Sequence, residues 1–157
     1  MATLDELIQE LEGSIPGITK KGKGNRDEDY VVSLCNEALG QVAKTQHTFP
    51  FLRGDTGMKL RVDAYYESLN LVIEYYESQH TERTDFFDNK KTVSGVSRGE
   101  QRRIYDQRRV TELPEHGIKL VIIRYTDFGS KKRLIRNHDR DLAIVKDILS
   151  KSGIATV

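Results

Sequence analysis

Two acidic residues carry the chemistry that this chain could perform. Asp63 and Glu74 stand with ten residues between them in the stretch Met58 to His80, MKLRVDAYYESLNLVIEYYESQH. Glu74 lies inside an apolar, aromatic and β-branched run, Leu71 to Tyr76, where a charge is costly unless it meets a partner or a metal. Held on adjacent strands, two carboxylates are a natural ligand set for a hard divalent cation such as Mg²⁺. The same two acids could instead form ion pairs with Arg61 or Lys59 on an exposed sheet face, and spacing does not separate these readings. A third acid, Glu37, falls beside Leu34 on the flank of a helical apolar stripe. It is either an ordinary surface acid or a further ligand to the pair.

The elements that must position these acids are legible as periodicities. Met58, Leu60, Val62 and Ala64 alternate with Lys59, Arg61 and Asp63, which predicts a strand with the apolar set on one face and Asp63 on the other. Leu69 and Asn70 close a turn, and Leu71 to Tyr76 forms the next strand. Upstream, Thr48 to Leu52 followed by Arg53-Gly54-Asp55-Thr56-Gly57 predicts a hairpin leading into Met58. The Arg-Gly-Asp triplet is explained by turn chemistry, and an adhesion role is set aside. Asp27 to Lys44 reads as a helix with Val31, Leu34, Cys35, Ala38 and Val42 as its stripe. Thr3 and Glu6 have capping-box spacing for a short helix ending near Gly13.

Downstream, Ser97 and Glu100 form another capping box. The helix that follows carries Arg102, Arg103, Arg108 and Arg109, takes apolar contacts from Ile104, Tyr105, Val110 and Leu113, and ends at Pro114 and Gly117. Ile118 to Tyr125 is apolar on both faces, as a central strand covered on two sides would be. Lys131 to Arg136 reads as a short strand or a loop. Asp139 to Ser152 is a closing helix with Leu142, Val145, Ile148 and Leu149 buried. The order predicts the α/β class: a central mixed sheet of four to five strands flanked by helices. The length between the Glu74 and Ile118 strands is that of a crossover, which makes them parallel neighbours.

A chain of 157 residues, 37% hydrophobic and 31% charged, fits one domain over residues 1–157, with an N-terminal helix and basic loop (1–26) ahead of a core (27–157). The net charge of +1 does not by itself point to nucleic acid, but the distribution is uneven. Base gathers at Lys20 to Lys23, Arg98 to Arg109 and Lys131 to Arg140, and a neutral total can hide a basic cleft around an acidic site. The loop GSIPGITKKGKGN is either a solvated connector or an arm whose lysines, Lys21 and Lys23 among them, contact phosphates. Cys35 is the single cysteine, which excludes an internal disulfide and fits a reducing, cytoplasmic compartment. No run approaches a membrane span, and TLDELIQEL is an acidic amphipathic pattern rather than a signal peptide. His47, His80, His116 and His138 lack zinc-site spacing, and His116 before Gly117 reads as a helix C-terminal residue.

Taken together, Glu37, Asp63, Glu74, the Ser97 helix and the apolar strand to Tyr125 resemble the PD-(D/E)XK nuclease superfamily, the fold of many restriction endonucleases. Gln101 and Tyr105 also have the Q-x-x-x-Y spacing of RecB-type nucleases. Glu74 to His80, the run Arg103 to Arg109 and Gly117 are similar to the very-short-patch repair group. The resemblance implies a restriction-endonuclease-like sheet and a Mg²⁺-dependent DNA endonuclease, first a type II restriction enzyme or its cleavage subunit. Asp63 and Glu74 would hold the metal with Glu37 as an outer ligand, and water would attack the phosphodiester in line. This sequence departs from the family at Tyr76, which stands where the family has lysine. Lys59, His80, and Glu77 or Gln79 are the open replacements for orienting or deprotonating the water. Lys91, Arg98, Arg102 and Arg103 would contact phosphates of double-stranded DNA. A small nuclease cuts both strands most simply as a homodimer. The alternatives are a nicking or repair nuclease, and a non-catalytic nucleic-acid-binding module of the same fold.

Overall fold

The computed structural model describes residues 26–78 and 96–157. The expected helix at Thr3 to Gly13, the basic loop with Lys21 and Lys23, and the stretch holding Gln79, His80 and Lys91 lie outside the described residues. The described residues fall into two compact units, one made of residues 26–42 and Arg136–Val157, the other of those within Ala43–Ile135.

The second unit holds the sheet. Strand β1 (Lys44–Arg53), β2 (Lys59–Tyr66), β3 (Leu71–Tyr76) and β4 (Lys119–Arg124) lie in the order β1-β2-β3-β4. The first two pairings are antiparallel, and β3 runs parallel to β4 as the crossover length required. The protein is therefore α/β with a four-stranded mixed sheet. In β2, Leu60, Val62, Ala64 and Tyr66 are buried while Lys59 and Arg61 are exposed, which is the strand period expressed in burial. Met58, expected on the inward face, is instead 72% exposed because β2 starts one residue later.

The strand order corrects one expectation. The Ile118 to Tyr125 run forms a strand, but β4 is an edge of this sheet, with Val121 and Ile123 as its buried residues. The inner strands are β2 and β3, and all six residues of β3 are buried. Apolarity on both faces identified a strand; its rank in the sheet depends on pairings that local pattern does not contain.

Helix α2 (Arg98–Glu115) connects β3 to β4 and packs on the sheet. Ser97 Oγ accepts from the Glu100 N–H at 3.2 Å and caps its start. Its end is the left-handed Gly117, with His116 as the C-terminal residue. Leu113 is fully buried among Phe49, Leu52, Leu60, Val62, Val72 and Ile118, and Tyr105 packs against the same cluster. Val110, expected to make apolar contacts, is 40% exposed. Lys131 to Arg136 forms no strand.

The first unit pairs helix α1 (Asp27–Leu39) with α3 (His138–Lys151). Val31, Leu34, Cys35 and Ala38 are buried on α1, and Val145 and Leu149 on α3. The first helix stops short of Lys44 because Gly40 takes a left-handed conformation, φ 66°, and its N–H closes on the Asn36 carbonyl. Val42 is therefore outside the helix and 44% exposed.

Candidate active site: a carboxyl pair under a basic helix

Asp63 and Glu74 meet where the β2–β3 ladder ends. The last paired residues are Ala64 and Ile73, so Asp63 and Glu74 occupy the next opposed positions. There the side chains take over the ladder. The Asp63 N–H donates to Glu74 Oε2 at 3.2 Å, and the Tyr75 N–H donates to Asp63 Oδ2 at 2.8 Å. The Asp63 side chain also favours the charged form of Glu74. Two neighbouring carboxylates disfavour each other's ionisation unless a proton or a cation compensates them.

The environment of Glu74 sharpens this. The residue is 5% exposed, and burial pushes its carboxyl above the usual carboxylate range against the pull of Asp63 and Arg109. Arg109 Nε stands 3.1 Å from Glu74 Oε1, yet its N–H is aimed at the Arg61 carbonyl, also at 3.1 Å. The contact is charge pairing without a directed hydrogen bond, and Oε1 is a buried oxygen that accepts none. The same guanidinium is held from the other side by Asp106 Oδ1 at 3.1 Å.

The β1–β2 turn fixes α2 over this pair. Asp55 donates its N–H to the Tyr105 hydroxyl at 3.0 Å. Arg108 donates to the Arg53 carbonyl at 3.0 Å and to Asp55 Oδ1 at 2.6 Å. A side chain on Gly54 would meet the Tyr105 hydroxyl at 2.8 Å, so glycine permits this close approach. The Arg-Gly-Asp triplet is thus the seat of the helix. Arg98, Gln101, Arg102, Tyr105, Asp106 and Arg109 recur on one helical face and line a groove of about 320 Å³. Arg109 belongs both to this groove and to the Glu74 contact.

Tyr76, at the lysine position of the resemblance, is buried beside Glu74. Burial and then the neighbouring Asp106 and Glu74 push its phenol up to about 12, so it is neutral at ordinary pH. The Arg124 guanidinium lies over its ring, 5.4 Å from the centroid.

The other expected site residues are placed as follows. Lys59 is exposed at the start of β2, four residues before Asp63, roughly 13 Å along an extended strand and out of reach of the pair. Glu77 is exposed just beyond β3. Glu37 belongs to the helical unit, where its Oε2 pairs with His138 Nε2 at 2.7 Å. Arg98 and Arg103 are exposed and have no ion-pair partner among the described residues, whereas Arg102 is half-buried in the groove. His80, Lys21, Lys23 and Lys91 lie outside the described residues.

Two residues that matter most were not singled out from sequence. From sequence, Arg109 is one of the arginines of a basic helix, and Asp106 is only a member of the run Arg103 to Arg109. Their spacing of three, directly after the Gln101–Tyr105 pair, was the available signal. Among the described residues no three His, Cys, Asp or Glu side chains gather into a metal-binding group. Also among them, no helix is long and apolar enough to cross a membrane. No family model, no curated protein and no solved structure matches this chain.

Proposed function

We propose that this protein is a Mg²⁺-dependent DNA endonuclease of the PD-(D/E)XK type, a type II restriction enzyme or its cleavage subunit. The observation that carries the reading is the meeting of Asp63 and Glu74 on adjacent strands, each carboxylate held by a backbone N–H of the opposite strand, with Glu74 Oε1 buried and accepting no hydrogen bond. Hard oxygen donors in this state fit a divalent cation, which is bound through one or two carboxylates and completes its shell with water and substrate phosphate. When bound, Mg²⁺ would neutralise charge on the scissile phosphate and make water a better nucleophile.

The chain's own residues do the rest. The backbone N–H groups of Asp63 and Tyr75 orient the two carboxylates. Arg98 and Arg102 line the groove beside the pair and present cations to a phosphodiester backbone. Arg109 supplies, beside Glu74, a positive charge that Tyr76 does not. A homodimer on duplex DNA would place two such sites on opposite strands.

The test is incubation of supercoiled plasmid with the native chain, with Mg²⁺ and with EDTA. Nicked or linear product that depends on Mg²⁺ is expected. A second reading, a nucleic-acid-binding module without hydrolysis, is favoured by the neutral phenol of Tyr76 at the lysine position. Retained DNA binding with no cleavage over the whole range of divalent metals would establish it instead.

A further inference from the structure

We infer that Arg109 is a latch on the metal site: it occupies the charge of Glu74 in the free protein and hands Glu74 to a divalent cation when a DNA phosphate enters the groove. The inference rests on the nuclease reading and adds to it a rule for when the site can load.

Three features of the geometry support the exchange. The Arg109 guanidinium lines the groove that would take the phosphate, so one side chain faces both ligands. Its hydrogen bonds go to the Arg61 carbonyl and Asp106, while its contact with Glu74 Oε1 is undirected. An ion pair without a directed hydrogen bond is the easiest of the three contacts to give up. The pair is nevertheless well shielded, with side chains 16% and 6% exposed, so the charges feel each other strongly while they remain together. Removing the guanidinium without replacement would leave a buried carboxylate uncompensated, a costly state. A cation arriving as the arginine turns toward phosphate avoids that state.

The consequence is linkage. DNA must raise affinity for the metal, and the metal must raise affinity for DNA by the same factor. Part of that coupling arises whenever a metal touches a phosphate directly. The part due to the latch is isolated by measuring the metal with protein alone. Arg109→Gln removes the competing charge and should bind metal more tightly than the native chain in the absence of DNA. A purely structural role for Arg109 predicts no gain.

The experiment follows Mn²⁺ binding through loss of the free-ion electron paramagnetic resonance signal, for native and variant protein, with and without a mixed-sequence duplex. Without DNA, Arg109→Gln should bind Mn²⁺ about tenfold more tightly than the native chain, and the enhancement by DNA should shrink by about the same factor. Arg109→Lys keeps a charge but loses the fork, and should fall between the two. It serves if the glutamine variant does not fold, which circular dichroism reports. Native-like Mn²⁺ affinity without DNA in the folded variants overturns the latch, and if Asp63 and Glu74 remain essential for cleavage the nuclease reading survives. Absence of Mn²⁺ binding by every form, with and without DNA, overturns both.

Discussion

Asp141 in the helical unit and Glu74 in the sheet unit are both buried acids, yet their surroundings differ atom by atom. Asp141 is fully buried and fully served. It accepts from the Tyr30 hydroxyl at 2.6 Å and the Asn137 N–H at 2.9 Å on Oδ2, and from Arg140 at 3.1 Å on Oδ1. Burial alone would raise its carboxyl, but those hydrogen bonds outweigh it and hold the group below the usual aspartate range. Glu74 accepts one backbone N–H and keeps an oxygen with a charge nearby but no hydrogen bond. Its carboxyl is held above the usual range. A buried carboxylate whose lone pairs are all used is a strut for the fold. One left short of donors costs stability and is retained where something else supplies the missing charge.

The comparison breaks most visibly in activity. Asp63→Ala and Glu74→Ala should lower Mg²⁺-dependent plasmid cleavage at least about a thousandfold, while DNA binding by electrophoretic shift in EDTA stays close to native. A native cleavage rate in either variant would place the chemistry elsewhere.

The next effect is in stability, and it falls on the other acid. Asp141→Ala strands a half-buried tyrosine hydroxyl, a helix N-terminal N–H and an arginine, and should destabilise the protein by roughly 3 kcal/mol in urea unfolding. Glu74→Gln, measured in EDTA, should stay within about 1 kcal/mol of native, because it removes a charge that was poorly compensated. Equal losses in the two variants would erase the distinction between strut and site.

The two acids should also give opposite pH dependence. Asp141 has a folded pKa below its unfolded value, so its contribution is present above the ordinary aspartate range and is lost as pH falls through the lowered value. Glu74 has a folded pKa above its unfolded value. Its contribution is present when the pH is low and is lost as pH rises through the raised value. With EDTA, from about pH 3 to about pH 8, the native-minus-Asp141→Asn stability difference should grow with pH. The native-minus-Glu74→Gln difference should shrink over the same range. Two slopes of the same sign would contradict the assignment.

The smallest effect belongs to an exposed pair in the helical unit. Hydrogen bonds to Glu37 and then Asp139 raise the His138 imidazole to about 9. Its stabilisation is complete below the unfolded value near 6.5 and is lost as pH rises through about 9. The ring is half exposed, so solvent screening keeps the loss under about 1 kcal/mol. The urea midpoint of the native chain should decline slightly between about pH 7 and about pH 9.5, and that of His138→Gln should not.

Residues 58 to 76 show how far local pattern reaches. Alternation of Leu60, Val62 and Ala64 with Lys59, Arg61 and Asp63 assigns Asp63 to a face, and the run Leu71 to Tyr76 with its turn places Glu74 on the next strand. A period of two and a short turn are properties of neighbouring residues, so both were readable without coordinates. The parallel crossover to β4 was readable for a similar reason, because chain length alone excludes a hairpin.

Strand rank, helix docking and the state of Glu74 were settled by contacts between residues far apart in the chain. The inner position of β3 depends on pairing with both Tyr66 and Lys119, and the apolar β4 run looked equally central from its own residues. The place of Arg109 depends on Tyr105 and Arg108 seating on the turn at Arg53 to Asp55, some fifty residues upstream. The desolvation of Glu74 depends on all of these at once, since water is excluded from its carboxyl by the assembled sheet and helix and not by its sequence neighbours. Residue type and period determined which atoms could meet; long-range packing decided which of them did, and how little water remained between them.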